Sequence, residues 1–435
     1  MLTSLHKHFY ISKESWTPKS SKSDVVNHYS IPNFDKGVPH QEAVEGIKSN
    51  KFLISRPCVL ISKLNPDTPR IWLIEKLLPG TSVCSTEFVV LIPEREEDLR
   101  YLYFLLKSDT VRSRLKETAT GTSNSHQRVR PDAILELEVP WIVEERKRTR
   151  TANFLWMLER KIQINNETSK TLEGIAQTIF ESWFIRFDPV KTKIAGQKPV
   201  GMDDATSALF PDSMEESEVG LIPKGWEVKA LGEVCAATIG GLWGSDEETQ
   251  ENPDSYQCVR GVDMDDLKAS GYAPRVPVRW DKSHNFSRRL LTGTQILIAG
   301  SGAGPVAKSI LWDESMNNLF ALPVVFSNFV KRFECNSHEM ASFVSSILSN
   351  MYESREIFTF VNGTSVPNLQ DRELLIGKKI VVPSIDLLHA FDSIKRNSIK
   401  YKYTGENSNL IAIRDSILPR LIAGDLHISE ELFAS

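Results

Sequence analysis

Two long amphipathic stretches, each following a strand-rich segment, limit what this chain can fold into. The first runs from Val143 to Phe187. In its second part Leu172, Ile175, Ala176, Ile179, Phe180, Trp183 and Phe184 recur at intervals of three and four, the spacing of one helical face. In its first part Phe154, Leu155, Trp156, Met157, Leu158 and Ile162 form a broader apolar face behind the charged run Glu144 to Arg150. Asn165-Asn166 interrupts the pattern, so two helical segments are expected, and Asp188-Pro189 ends it. The second stretch spans Ile385 to Leu421.

At 435 residues the chain exceeds one compact domain and fits two or three. Its 41% hydrophobic content supports substantial cores and excludes global disorder. A net charge of −4 argues against a uniformly basic, nucleic-acid-coating surface. The charge is uneven, however: Gly201 to Gly220 carries Asp203, Asp204, Asp212, Glu215, Glu216 and Glu218 with no Lys or Arg. Any basic surface is therefore local. Cys58, Cys84, Cys235, Cys258 and Cys335 are scattered with no C-x-x-C, so neither zinc nor a disulfide framework is indicated. The N-terminus lacks the apolar core of a signal peptide, and no run approaches the roughly 18 apolar residues of a membrane helix. A cytoplasmic protein without a membrane partner is expected.

In chain order, Pro57–Ser62, Arg70–Ile74 and Ser85–Pro93 read as strands, and Asp98–Ala119 as a helix. The polar loop Ala119–Arg130 and a strand ending Val139-Pro140 lead into the first amphipathic stretch. A second domain opens at LIPKGWEVKALGEV (Leu221 to Val234), runs through strands to a helix over Ser337–Arg355, then the loop Phe360–Arg372 and the strand KKIVVPSI. Leu105–Ser123 lies on Ile347–Ser365 without a gap, each ending in Gly-Thr-Ser; Cys58–Ser62 matches Gln295–Ala299, and Val139-Pro140 matches Val382-Pro383. The period is far longer than a solenoid repeat. The expectation is an α+β chain: two pseudo-repeated β-rich domains (1–141 and 221–384), each followed by a helical region (142–190 and 385–435), with an acidic linker over 191–220. The opening IPKGWEVKALGEV finds no clear counterpart at the N-terminus, where SKESWTPKS is the nearest text, so the first domain is expected to be shortened there.

Catalytic motifs fail one by one. Pro211-Asp212 with Glu227-Val228-Lys229 fits the loose spacing of a metal-dependent nuclease, but that chemistry needs carboxylates fixed on a buried sheet, and Asp212 sits in the acidic strip. Gly300–Gly304 follows an apolar run, yet no Gly-Lys-Ser/Thr follows and the next residues read as strand, so no helix N-terminus stands behind a phosphate. The Asp/Asn/Ser-Pro-Pro-aromatic tetrapeptide of amino-methyltransferases is absent, as are an H-x-x-x-H pair and a G-x-S-x-G elbow.

Polar and basic loops remain. Lys63 and Arg70 flank one; Asn124, His126, Gln127, Arg128 and Arg130 crowd the first Gly-Thr-Ser loop. Arg275, Arg279, Lys282, Arg288 and Arg289 fall in one loop-rich stretch, and Asn368, Gln370 and Arg372 follow the second Gly-Thr-Ser. Singly, solvation explains each. As a set they suit a nucleic-acid face, since Arg reads guanine, Asn and Gln read adenine, and Lys and Arg neutralise phosphate.

The junction Trp183 to Val234, the ending LPRLIAGDLHIS (Leu418 to Ser429) and the Val-Pro lead-in to each helical stretch resemble the specificity subunits of Type I restriction-modification systems. The resemblance covers nearly the whole chain. It implies a non-catalytic, DNA-binding subunit whose two target-recognition domains each read half of a split site on double-stranded DNA. The two long helical regions would lie antiparallel as a coiled coil. A helix of about 24 residues spans roughly 36 Å, near one turn of DNA, so helix length would set the unread spacer. Methyltransferase subunits, two by the family pattern, and a restriction motor-nuclease would dock on these helices, through Leu155, Leu158, Ile162, Leu172, Ile179, Phe180, Trp183, Phe391, Ile417 and Leu421. S-adenosylmethionine would belong to the methyltransferase, which flips the target adenine, and ATP and Mg to the restriction subunit. This chain would carry no cofactor and no metal. Two rival readings are a two-domain coiled-coil scaffold without DNA affinity, which leaves the duplicated polar loops unexplained, and a stand-alone nuclease resting on Asp212, Glu227 and Lys229.

Overall fold

A computed structural model describes residues 2–35, 37–66, 68–118, 128–271 and 273–429. It divides into two compact units, Met1–Lys161 with Leu410–Ser435, and Ile162–Asn409. The division falls inside the helices Glu145–Phe180 and Glu406–Ala423.

The first unit is closed by a short antiparallel pair in which Leu2–Ser4 meets Glu138–Pro140. Between those ends stands a four-stranded antiparallel sheet, ordered Phe9–Ser12, Phe88–Pro93, Cys58–Ser62, Ile71–Ile74. Its central strands are buried along their whole length, because both faces are covered. Successive side chains of a strand point to opposite faces. Accordingly Val59, Ile61, Val89 and Leu91 pack with the helix Leu99–Lys107, while Cys58, Leu60, Phe88 and Val90 form a separate core with Tyr29 and Ile74. A five-stranded sheet, ordered Ser15–Trp16, Lys51–Leu53, Thr81–Cys84, Val25–Tyr29, His40–Ala43, is antiparallel except for the pair Val25–Tyr29 with Thr81–Cys84.

The second unit repeats this plan. Glu227–Ala230 pairs with Lys379–Val382. A four-stranded sheet runs in the same order, Cys235–Ala237, Val330–Cys335, Gln295–Ala299, Ser309–Trp312. A smaller sheet holds Asp254–Val259 between an antiparallel Val278–Asp281 and a parallel Val324–Phe326. The helix His338–Glu353 covers the main sheet where Leu99–Lys107 does in the first unit. The α+β fold of two pseudo-repeated domains with long helical regions therefore holds.

Four readings change. The counterpart of EVKALGEV is not SKESWTPKS: Leu2–Ser4, with the 3-10 turn Leu5–Lys7, takes its place, and Ser15–Trp16 is an edge strand of the five-stranded sheet. Asn165-Asn166 does not break the helix, which is continuous over Glu145–Phe180. The second amphipathic stretch is instead two helices, Ile385–Lys402 and Glu406–Ala423, parted at Gly405, whose φ of 79° suits glycine. The acidic strip is folded: Asp203 caps the turn Asp204–Ala208 through the Thr206 amide at 2.6 Å, Phe210 is buried against Trp183, and Met214–Ser217 pairs with Gly220–Pro223.

In each unit the long helix runs antiparallel to a closing helix. In the first, Ala152 and Leu155 pack with Leu418, Leu421 and Ile422. Glu159 meets Arg414 at 2.6 Å and Lys107 at 2.9 Å. Burial raises the Glu159 carboxyl, but these two cations outweigh it and hold it at about 2. In the second, Phe180 and Phe184 pack on Phe391 and Phe343, Glu173 pairs with Lys402 at 2.6 Å, and Asn165 donates to Asn407 and Glu406, each at 2.9 Å.

A carboxyl depressed in the folded state adds stability above its unfolded value, lost as pH falls through the folded one. Glu159→Gln is therefore expected to cost roughly 3 kcal/mol near pH 7 and to flatten the loss of first-unit stability between about pH 5 and 2. Denaturant unfolding at several pH values checks this; an unchanged acid limb contradicts it.

Candidate nucleic-acid interface

The closest parallel between the repeats lies at their polar loops. Two residues past the strand Cys58–Ser62, Leu64 bridges Arg128, and the Val129 amide donates to the Lys63 carbonyl at 2.9 Å. Two residues past the strand Gln295–Ala299, Ser301 bridges Asn368, and the Leu369 amide donates to the Gly300 carbonyl at 2.8 Å. Arg128 and Asn368 thus occupy the same place in the two repeats. Each follows its Gly-Thr-Ser segment. The first such segment, with the candidates Asn124, His126 and Gln127, lies outside the described residues.

Around Arg128 the fold gathers residues far apart in sequence. Its guanidinium is 3.3 Å from Glu87 and well exposed. Lys63 donates to the Thr86 carbonyl at 2.6 Å, and burial, set against Glu87 and with Arg128 nearby, lowers its ammonium pKa. Arg130 is exposed at the N-cap of Pro131–Leu135. Arg70 does not join them: it forms a two-pronged pair with Asp35 at 2.8 and 3.0 Å, whose hydrogen bond lowers the aspartate and raises the arginine pKa.

In the second unit the expected single basic stretch divides. Arg275 turns to Asp266 at 2.9 Å, beside the helix Asp263–Ser270. Arg279 stacks over Trp243 at 4.0 Å and pairs with Asp246, while Arg289 donates to the Gly240 carbonyl at 2.8 Å. These two are therefore committed to holding the loop Gly240–Gly244 and are poor base readers. Gly241 is required there, since a Cβ would collide with the carbonyls of Phe326 and Ser327. Lys282, Arg288 and Arg372 are exposed, and Gln370 is half-buried, donating to the Asn368 carbonyl at 3.4 Å. Trp243 escaped sequence reading; the glycines flanking it, Gly-Gly-Leu-Trp-Gly, are the signal that marks a shaped loop carrying an aromatic.

Six of the ten apolar residues expected to dock partners are committed to the chain's own interior. Leu155, Phe180, Trp183, Phe391 and Leu421 are buried in the cores of their own units, and Ile162 is buried on the long helix. Ile179 and Ile417 pack partly against those cores, and Leu158 and Leu172 are half-buried. A side chain with no exposed area cannot form a partner's surface. Among the described residues no group of three or more metal-ligating side chains occurs, and no helix is long and apolar enough to cross a membrane.

Two pseudo-repeated α+β domains, each tied to an antiparallel helix pair and each bridging a polar residue, Arg128 or Asn368, at the same place beside its sheet, define a class of duplicated chain. The comparisons name relatives of that class. No family model matches the chain. The HindI Type I restriction enzyme specificity subunit of Haemophilus influenzae is 23% identical over 460 residues, spanning 93% of this chain and 93% of its own. The MjaIX Type I restriction enzyme specificity subunit of Methanocaldococcus jannaschii is 23% identical over 348 residues, 78% of this chain and 72% of its own. The solved S subunit of a Type I restriction-modification system from M. genitalium shares the fold, with a TM-score of 0.52 at 15% identity over 97% of this chain and 95% of that one. The resemblance read from the Trp183–Val234 junction is borne out: the chain is a relative of Type I specificity subunits.

Phe180→Asp is expected to unfold the second unit, because a carboxylate replaces a fully buried ring at a cost above about 3 kcal/mol. Limited proteolysis should then cut within 162–409. A protease-resistant variant that only fails to bind a partner would return Phe180 to a docking role.

Proposed function

We propose that this chain is the DNA sequence-specificity subunit of a Type I restriction-modification complex, itself non-catalytic, reading a bipartite target with its two repeats. The observation that supports this most is the shared place of Arg128 and Asn368. Equivalent positions carrying different base-reading chemistry suit two half-sites of different sequence, Arg pairing with guanine and Asn with adenine in the major groove. The Arg128 guanidinium is well exposed, and its pair with Glu87 at 3.3 Å is of the surface kind worth less than about 1 kcal/mol. Lys63, Arg130, Lys282, Arg288 and Arg372 are assigned to phosphate contacts.

The helices are proposed to dock methyltransferase subunits through exposed residues rather than the buried ones. Ile164 and Ile175, exposed and eleven residues apart, lie about three turns apart on one face of the long helix. S-adenosylmethionine belongs to those partners, and ATP and Mg to a restriction subunit; the chain's place is with DNA in the cytoplasm.

Binding to duplexes carrying one or both half-sites, by the complex of this chain with its methyltransferase, tests the reading. Arg128→Ala is expected to lose discrimination at one half-site by about 1–3 kcal/mol and leave the other intact, and Asn368→Ala to do the converse. If either variant weakens both half-sites alike, these side chains contact phosphate or hold the loop, and the assignment fails.

A further inference from the structure

The second unit contains a half-open cleft, apolar over most of its lining, that DNA recognition and subunit docking leave unused. Its volume is about 300 Å³, and it is walled by the helices Glu145–Phe180, His338–Glu353 and Ile385–Lys402 and the strand Ser309–Trp312. A concave cleft of this size, with a few convergent polar groups, has room for water or a small ligand.

The lining is rich in donors. Ser309, Ser345 and Ser398 are only 3%, 4% and 4% exposed, and among the described residues their hydroxyls find no hydrogen-bond partner. They line the cleft, where water or a ligand can bond to them. Lys395 also lines the cavity, and its ammonium donates to the Ser346 hydroxyl at 2.6 Å. No carboxylate pairs with it among the described residues. The Asp392 carboxylate one turn earlier instead accepts from Ser342 at 2.5 Å and lies 3.8 Å from Arg396. Glu173, also on the wall, is matched by Lys402, whose side chain is 2% exposed. With Glu173 paired to Lys402, Lys395 is a cation on the lining that faces the cleft without a carboxylate bonded to it among the described residues. At the mouth stand the exposed Lys268 and Glu353, which offset each other. Gly174 adds no bulk there: a Cβ would meet nothing within 4 Å.

We propose that this cavity binds a small free oxyanion of the phosphate type, held by the Lys395 ammonium and the hydroxyls of Ser309, Ser345 and Ser398. An anion there supplies a counter-charge for Lys395 and acceptors for three hydroxyls that make no bond to other described residues. Burial and the neighbouring Lys268, opposed by Glu173 and Asp392, lower the Lys395 ammonium to about 8. Glu353 from the facing helix acts on Lys268 rather than on Lys395 directly. The anion takes the protonated lysine, so its affinity falls as pH rises through about 8.

Calorimetric titration of the full chain with inorganic phosphate, in chloride buffer at about pH 7 and about pH 9, tests the proposal. Binding is expected at the lower pH and weaker by about tenfold at the higher. Lys395→Met is expected to lose about tenfold or more at the lower pH while melting near the parent temperature. If that variant does not fold, Ser345→Ala and Ser398→Ala decide, each expected to weaken phosphate by about threefold. No binding at about 10 mM phosphate, or equal binding by the folded variants, overturns the proposal. So does displacement of phosphate by short duplex DNA, which would make the anion a backbone phosphate of the target.

Discussion

Each repeat is closed by a three- or four-residue strand pair, and the rest of the fold hangs from it. Thr3 lies opposite Val139, and Val228 opposite Val381, joining residues more than 130 positions apart. The pairs are short and contribute little burial. Their effect is topological: every strand and loop of a domain lies between its two ends, and the helix leaves from the second end. A long, non-local closure like this is entropically costly to form, with a cost that grows only slowly with loop length. The large sheet cores between the ends offset it.

Each closure leads into a fixed joint rather than a flexible linker. In the first unit Arg148, at the start of the long helix, forms a buried two-pronged pair with Asp98 at 2.6 and 3.1 Å and stacks over Trp141 at 4.6 Å. Losing one partner of a buried pair costs about 3–5 kcal/mol, so the helix is held at its first turn. In the second unit the joint is aromatic. A π-helical turn over Glu181–Ile185 lets Trp183 and Phe184 both reach the core, and Phe187, with φ of 56°, ends it. Each joint fixes the direction in which its helix leaves the domain.

The duplication was legible because the order of strands, helix, Gly-Thr-Ser loop and Val-Pro survives where identity does not. The N-terminal partner of EVKALGEV was hidden for a related reason. Leu2–Ser4 is needed for its backbone hydrogen bonds, which leave little trace in side-chain identity. Asn165-Asn166 reads as a break on propensity alone. It is helical because Asn407 and Glu406 satisfy Asn165, and Asn407 donates to Asn166 at 2.8 Å; no local window contains that information. Among the candidate readers, sequence could name polar residues but not their commitments. Arg70, Arg279 and Arg289 are occupied by Asp35, by Trp243 with Asp246, and by Gly240; Arg128, beside Glu87, and Asn368, whose amide donates to the Val366 carbonyl at 2.9 Å, are set apart by their shared place when the sheets are laid side by side.

The central claim is that two copies of one plan each contribute half of a DNA address. Its most direct test is genome-wide adenine methylation in cells expressing this chain with its neighbouring methyltransferase, against cells lacking this chain. The account predicts a split motif, two defined half-sites around an unread spacer, present only with the chain. Unchanged methylation while the complex still assembles would contradict it.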